Sequence, residues 1–248
     1  MLKLLFLLFS GVKLGKLALT GGSMLLSVVL YAVVYGWKYA VGFVLLMFVH
    51  ELGHYLAAHQ RGLGASLPMF VPFLGAWTEL DKMPHDAETE AFVGLGGPLL
   101  GTVGALACYF FARNAGGGED ITWLLAVSYG GFFLNLFNMI PMLPFDGGRI
   151  TAVLGPRIWL VGAPVFGFLL WRNPSPMMFI VALMAAPQLW KALTWKKDSE
   201  EARTYYAVSN KVRIEYGAYY LVLLAFLAMM TQDVHEMLQA LHGARGAV

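Results

Sequence analysis

The sequence predicts an all-α polytopic membrane protein with about seven transmembrane helices. Hydrophobic residues make up 58% of the 248 residues and charged residues 13%, whereas a soluble domain carries about 25% charged residues. Apolar stretches recur along the chain at the length of about 20 residues that a bilayer span needs. The net charge is only +2, whereas domains that bind nucleic acids are usually strongly basic, so no nucleic-acid partner is expected.

The predicted helices follow the apolar stretches in chain order. They lie near residues 20–36, 39–60, 91–112, 121–143, 153–171, 176–194 and 213–230. Residues 1–18 hold a shorter apolar run that Lys13 and Lys16 interrupt, and they are predicted to form an interfacial amphipathic segment on the membrane surface. We expect the core to cover residues 19–195, followed by a cytoplasmic loop (196–212) and a last helix with an outer tail (213–248).

One further apolar stretch, near 66–81, is not expected to be a spanning helix. Glycines and prolines interrupt this region at Gly64, Pro68, Pro72 and Gly75. Irregular backbone is tolerated at membrane depth only where protein covers it or where it lines a wet cavity. The stretch is therefore predicted to be re-entrant or extended.

Lysine and arginine positions predict the orientation. With the N-terminus inside, most of the 17 lysines and arginines fall on the inner side, as the positive-inside rule requires. The chain is then a multi-pass integral protein, placed in the plasma (inner) membrane.

The motif His50-Glu51-Leu52-Gly53-His54 ends an apolar run. On a helix, residues four apart share one face, so both imidazoles can reach one metal ion, while Glu51 flanks that face as a general base. Ionisable residues at membrane depth are costly and usually pair, bind a ligand or line a cavity. A chance match is expected mostly on solvated helices, so these surroundings favour a metal site.

A catalytic zinc site needs a third protein ligand and an open position. Asp146 follows the helix predicted at 121–143 and reaches the same side of the membrane as the histidines. Pro141, Pro144 and the glycines after Asp146 break that helix and free the carboxylate to turn inward. Taken alone, the same residues could form an ordinary helix-ending turn. The arginine that follows, Arg149, is interpreted as an anchor at lipid headgroups.

The two motifs together resemble the site-2 proteases, a family of intramembrane zinc metalloproteases. H-E-x-x-H stands at 50–54, and N-x-x-P-x-x-P-x-D-G runs from Asn138 to Gly147. The resemblance implies that His50, His54 and Asp146 bind one Zn²⁺ per chain, that Glu51 is the general base, and that Asn138 positions the substrate or the oxyanion. It also implies a three-helix catalytic core, with the irregular segment near 66–81 beside it.

The chain departs from the family pattern in two ways. Many relatives carry an asparagine where this chain has Gly101, and many carry a PDZ or CBS domain, for which no predicted soluble stretch is long enough. Substrate choice is then expected to rest within the membrane domain or with a partner, either a regulatory membrane protein or a second copy of the chain.

Segment 71–80 has two interpretations. It is either a bare connector or an extended edge that pairs with an unwound substrate strand. The resemblance favours the strand, with Gly75, Ala76, Trp77 and Thr78 binding substrate.

The predicted function is therefore an intramembrane zinc endopeptidase, embedded in the lipid bilayer, that cuts in or next to transmembrane segments of membrane proteins. Its active site is predicted to lie toward the cytoplasmic side. The alternative is a non-catalytic metal-binding membrane protein or a transporter. Transporters usually show internal repeats and ionisable residues in several helices, a pattern that this sequence lacks.

Overall fold

The computed structural model describes residues 2–73, 75–114 and 122–246. These residues form nine helices and one small hairpin. In chain order they are α1 (Leu2–Tyr35), α2 (Trp37–Gln60), β1 (Met69–Val71), β2 (Gly75–Trp77), α3 (Ala87–Asn114), α4 (Thr122–Asn138), α5 (Asp146–Ile150), α6 (Trp159–Arg172), α7 (Pro176–Leu193), α8 (Glu200–Thr204) and α9 (Asn210–Gly246). Two short 3-10 turns, Thr151–Leu154 and Pro156–Ile158, join α5 to α6.

The all-α membrane architecture is confirmed. Five of the described helices are long and apolar enough to cross a bilayer, namely α1 from Gly15 onward, α2, α3, α7 and α9. The count of seven spans is not confirmed, because α4 has 17 residues and α6 has 14. Both are shorter than the roughly 20 residues that a straight span needs.

Several helix boundaries differ from the predicted ones. Residues 2–18 continue into the same helix as 20–35, so the backbone does not separate an interfacial segment from the first span, and the surface location stays a prediction. The last helix continues to Gly246 instead of ending near residue 230. Its final turns carry charged and polar residues, and hydropathy alone therefore places the helix end too early.

The predicted cytoplasmic loop at 196–212 is partly ordered. It contains α8, and the backbone carbonyl of Tyr205 accepts a hydrogen bond of 2.9 Å from the N–H of Ala87 at the start of α3. The Tyr205 hydroxyl donates to Glu90 over 2.6 Å. Burial, and then the neighbouring Glu90 carboxylate, raise the pKa of Tyr205 well above its ordinary value. The hydroxyl therefore stays protonated and can hold this segment against α3.

Helices α2, α3 and α4 pack at the centre of the protein. A Cβ atom built on Gly53 of α2 would overlap the carbonyl of Gly96 on α3, and one built on Gly96 would overlap the carbonyl of Gly53. The two backbones can approach this closely only because both positions are glycine. The close approach sets the spacing between the helix that carries the zinc motif and its neighbour.

The predicted extended segment is a β-hairpin. Strands β1 and β2 are antiparallel, with Phe70 opposite Ala76, and an isolated bridge between Ala65 and Leu80 closes its base. The N–H of Phe70 donates to Ser23 Oγ over 3.2 Å, which ties β1 to α1. Because β1 faces α1, β2 is the strand that lies nearer the centre of the protein.

Candidate active site

Helix α2 carries His50, Glu51 and His54 into the protein interior. Their exposed fractions are 4%, 7% and 5%, and each residue offers one ligand atom within 4.8 Å of the others. The four-residue spacing puts both imidazoles on one helix face, as predicted. The motif therefore forms a compact buried cluster and not a solvated helix surface.

Asp146 joins the two histidines. Its carboxylate oxygens lie 3.1 Å from His50 Nε2 and 3.2 Å from His54 Nε2, and the two Nε2 atoms are 3.2 Å apart. Asp146 is 7% exposed. The structure thus brings together the three residues predicted as metal ligands.

The hydrogen bonds of the two Nδ1 atoms determine whether the Nε2 atoms can bind a metal. His50 Nδ1 donates to Asn135 Oδ1 over 2.8 Å, and His54 Nδ1 donates to the carbonyl of Val93 over 2.8 Å. A neutral ring with its proton on Nδ1 turns the Nε2 lone pair toward the Asp146 carboxylate, which is the form that a metal ligand needs. Lone pairs that converge without hydrogen atoms between them repel one another unless a cation lies there. Two imidazoles and one carboxylate are the donor set of a catalytic zinc site.

The turn that carries Asp146 is fixed by contacts that the sequence did not predict. Cβ atoms on Gly147 and Gly148 would overlap the backbone of residues 139–143, so only glycine lets the chain fold back here. Tyr220 on α9 donates to the Met139 carbonyl over 2.6 Å, and Trp159 Nε1 donates to the Gly148 carbonyl over 3.0 Å. The turn is therefore held from both sides.

Glu51 is in contact with the hairpin. Thr78, directly after β2, donates its hydroxyl to Glu51 Oε2 over 3.0 Å. The sequence indicated Thr78 only as part of a strand that binds through its main chain. Its side chain reaches the carboxylate that is predicted to be the general base.

All nine predicted site residues line a single cavity of about 230 Å³. They are His50, Glu51, His54, Gly75, Ala76, Trp77, Thr78, Asn138 and Asp146. Met177 and Val181 of α7 close another part of the wall. Arg149, interpreted from the sequence as a headgroup anchor, also lines the cavity. The predicted ligands, base and substrate strand are thus neighbours in space, although their roles stay predictions.

Sequence reasoning missed Asn135. This side chain is 1% exposed on α4, inside a stretch that was interpreted as an ordinary span. A polar side chain within an apolar membrane helix is a functional candidate by default. Asn135 could therefore have been identified from the sequence. The Val93 carbonyl could not have been found in this way, because a backbone group carries no sequence signature.

Comparisons with known proteins find similarity to zinc metalloproteases. No protein-family model matches the chain. Over 123 residues it is 33% identical to the zinc metalloprotease MJ0392 of Methanocaldococcus jannaschii, covering 47% of this chain and 34% of that protein. Over 153 residues it is 25% identical to the probable zinc metalloprotease EGY1, chloroplastic, of Oryza sativa, covering 44% and 26%. The chain thus spans about a third or less of these curated relatives.

Among solved structures, the chain is similar to the site-2 protease from Methanocaldococcus jannaschii. The TM-score is 0.42 at 22% sequence identity, and the match covers 71% of this chain and 88% of that one.

Proposed function

We propose that this chain, a relative of the zinc metalloproteases that resembles the site-2 protease family, is an intramembrane zinc endopeptidase. Its reaction is the hydrolysis of peptide bonds in or next to the transmembrane segments of membrane proteins. One observation carries the proposal. A single cavity among apolar helices holds a zinc-type donor set, a further carboxylate and the edge of a β-strand.

His50, His54 and Asp146 would hold one zinc ion per chain. When bound, zinc acts as a Lewis acid that polarises a carbonyl group and makes water more acidic. Outside the cluster, the carbonyl of Val93 and the amide oxygen of Asn135 accept hydrogen bonds from the Nδ1 atoms of the two rings.

Glu51 would act as the general base. It lies beside the ligands on the same helix, so it can take a proton from the attacking water and pass it to the leaving amine. Thr78 fixes one of its carboxylate oxygens by donating a hydrogen bond. Asn138 lines the cavity from the end of α4 and would position the substrate or the oxyanion.

Strand β2 would present the substrate. Among the described residues, β2 pairs with β1 on one side only, while Gly75, Ala76 and Trp77 line the cavity. An extended peptide can add to such an edge through main-chain hydrogen bonds. A transmembrane helix has satisfied its backbone internally and must unwind before it can pair in this way. We therefore infer that the substrates are membrane segments that unwind readily.

The decisive experiment is purification in detergent followed by metal analysis and a cleavage assay. We expect one zinc per chain and cleavage of a transmembrane peptide that a chelator abolishes and added zinc restores. Zinc without cleavage of any peptide in a panel of transmembrane sequences would instead favour the alternative, a non-catalytic metal-binding protein or a transporter.

We further propose that the protein lies in the plasma (inner) membrane with its site toward the cytoplasm. The charge distribution supports this orientation. In a variant in which Cys108 is replaced by serine, an impermeant thiol reagent added from outside should label a cysteine introduced at Gly243 but not one at Ser199. The opposite pattern would overturn the orientation. Oligomeric state and a regulatory membrane partner are the next proposals to test, by crosslinking in the membrane.

A further inference from the structure

Asn135 is a buried polar residue for which the proposed hydrolysis has no direct use. It lies on α4, one turn before Asn138, and is 1% exposed. Its Oδ1 accepts from His50 Nδ1 over 2.8 Å, and its Nδ2 donates to the Gly131 carbonyl over 2.7 Å. Both ends of the amide are therefore paired within the membrane interior, where an unpaired polar group is costly.

These two hydrogen bonds fix the direction of the amide. The Gly131 carbonyl can only accept, so it selects the NH₂ end and leaves the oxygen facing His50. An oxygen at that place requires a proton on His50 Nδ1. In the neutral ring, the His50 Nε2 atom then presents its lone pair toward His54 and Asp146, which is the tautomer that binds a metal.

Helix α3 leaves room for this amide. A Cβ atom on Gly101 would lie 2.8 Å from Asn135 Nδ2 and closer still to its Oδ1. A side chain at position 101 would therefore occupy the space that the Asn135 amide fills. The same helix leaves room for the other imidazole, because a Cβ atom on Gly97 would overlap the His54 ring.

We propose that Asn135 is a positioning residue that holds His50 in its metal-binding tautomer and orientation, in a space that glycine at position 101 leaves open. This inference rests on the proposed zinc site. His54 receives the equivalent support from a backbone carbonyl, which no substitution removes, so Asn135 is the side chain through which this support can be tested.

The first test measures zinc affinity by chelator competition in the purified full-length protein. Asn135→Leu keeps the approximate volume but removes the acceptor, and loss of such a partner typically lowers metal affinity about 10–100-fold. Asn135→Asp keeps an oxygen acceptor and should restore the affinity to within a few-fold of the wild type. Ser128→Ala is the matched control, since it deletes a buried α4 hydroxyl that bonds the Ala105 carbonyl away from the histidines. Its zinc affinity should not change.

The absorption spectrum of the cobalt-substituted protein provides a second measurement that is independent of cleavage. Asn135→Leu should alter the ligand-field bands, while Ser128→Ala should not. Equal zinc affinity and identical cobalt spectra in wild type and Asn135→Leu would overturn the inference and leave Asn135 a packing residue. Absence of zinc from the wild type would instead refute the proposed function, so the two failures are distinguishable.

An exchange of the amide between helices keeps the test valid if Asn135→Leu does not fold. The double variant Gly101→Asn, Asn135→Ala moves the amide to α3 and clears the space that it needs. We expect zinc affinity to recover at least partly relative to Asn135→Ala alone. A folded double variant with no recovery would count against a role for the amide itself.

Discussion

Helices α1 and α2 form an antiparallel pair, yet they have opposite surroundings. In the 18-residue window that marks the span of α1, within Gly15–Tyr35, the mean hydropathy is 2.0 and 17% of the residues are buried. In the corresponding window of α2, within Trp37–Gln60, the mean hydropathy is lower, 1.5, and 50% of the residues are buried. The more apolar helix is thus the less buried one. In lipid an apolar side chain gains little from moving against protein, whereas a polar one must find partners there. Hydropathy alone does not identify the inner helix, because α7 has a hydropathy of 1.4 and only 11% of its residues are buried. The polar residues of α2 are buried because they find partners inside the protein.

Removal of a histidine from the inner helix should have the largest effect. His54→Ala deletes one of three converging ligands, so we expect zinc to fall from one per chain to nearly none and cleavage to be lost. His59→Ala is the matched control. That ring lies five residues further on, is exposed, and contacts Tyr55, whose carbonyl it hydrogen-bonds and whose ring it packs against. Metal analysis and the cleavage assay measure both effects. Retention of stoichiometric zinc by a His50→Ala, His54→Ala double variant would refute the ligand assignment.

Glu51→Gln should separate chemistry from metal binding. The amide keeps the size of the carboxylate but cannot take a proton, so cleavage should fall about 10²–10⁴-fold while zinc stays near one per chain. The same change at Glu88, which pairs with Arg61 at 4.0 Å on the side of α3, should leave turnover almost unchanged. Near-normal cleavage by Glu51→Gln would mean that another group is the base.

Ala76→Pro tests whether the hairpin binds substrate. Proline removes an N–H donor from β2, and its ring disrupts an extended ladder. We expect cleavage to fall by roughly 100-fold, equivalent to about 2.7 kcal/mol in the activation free energy, with zinc retained. Ala76→Val keeps the N–H and should be nearly neutral. Full activity in the folded, metallated proline variant would return the segment to the connector interpretation.

Thr78→Val should have a smaller effect that appears in turnover. The substitution keeps the shape but deletes the donor to Glu51, and hydrogen bonds to charged groups contribute about 1.5–3 kcal/mol. We expect kcat to fall about tenfold or more with little change in KM, and Thr78→Ser to recover most of the loss. A rise in KM alone would show that Thr78 binds substrate without positioning the base.

The smallest expected effect is a change in stability, and it is tested by truncating one valine on each helix. Val44 on α2 is 0% exposed and Val33 on α1 is 82% exposed. Val44→Ala leaves a cavity that should lower the free energy of unfolding by about 1 kcal/mol, whereas Val33→Ala should change it little. Thermal unfolding in detergent measures both changes. Equal effects would mean that α1 is covered by a partner or a second copy of the chain.

The sequence was sufficient to predict the apolar helices, the broken segment near 66–81 and the residues of the candidate metal centre. His50 and His54 share a face through local helix geometry, and Asp146 follows a helix end marked by prolines and glycines. Such patterns depend only on neighbouring residues, so they can be interpreted without knowledge of how the helices pack. Because a catalytic zinc needs a third protein ligand, the two motifs were predicted to meet at one site.

Only the tertiary structure decided how that centre is supported. His50 and Asn135 are 85 residues apart, and His54 and Val93 are 39 apart, so no local pattern links them. The same holds for Thr78 and Glu51. The long α9, which hydropathy divided into a helix and a tail, is continuous to Gly246, because backbone hydrogen bonding does not stop where a side chain becomes polar. Local residue patterns determine which side chains lie on one face, but packing between distant segments determines which groups they meet.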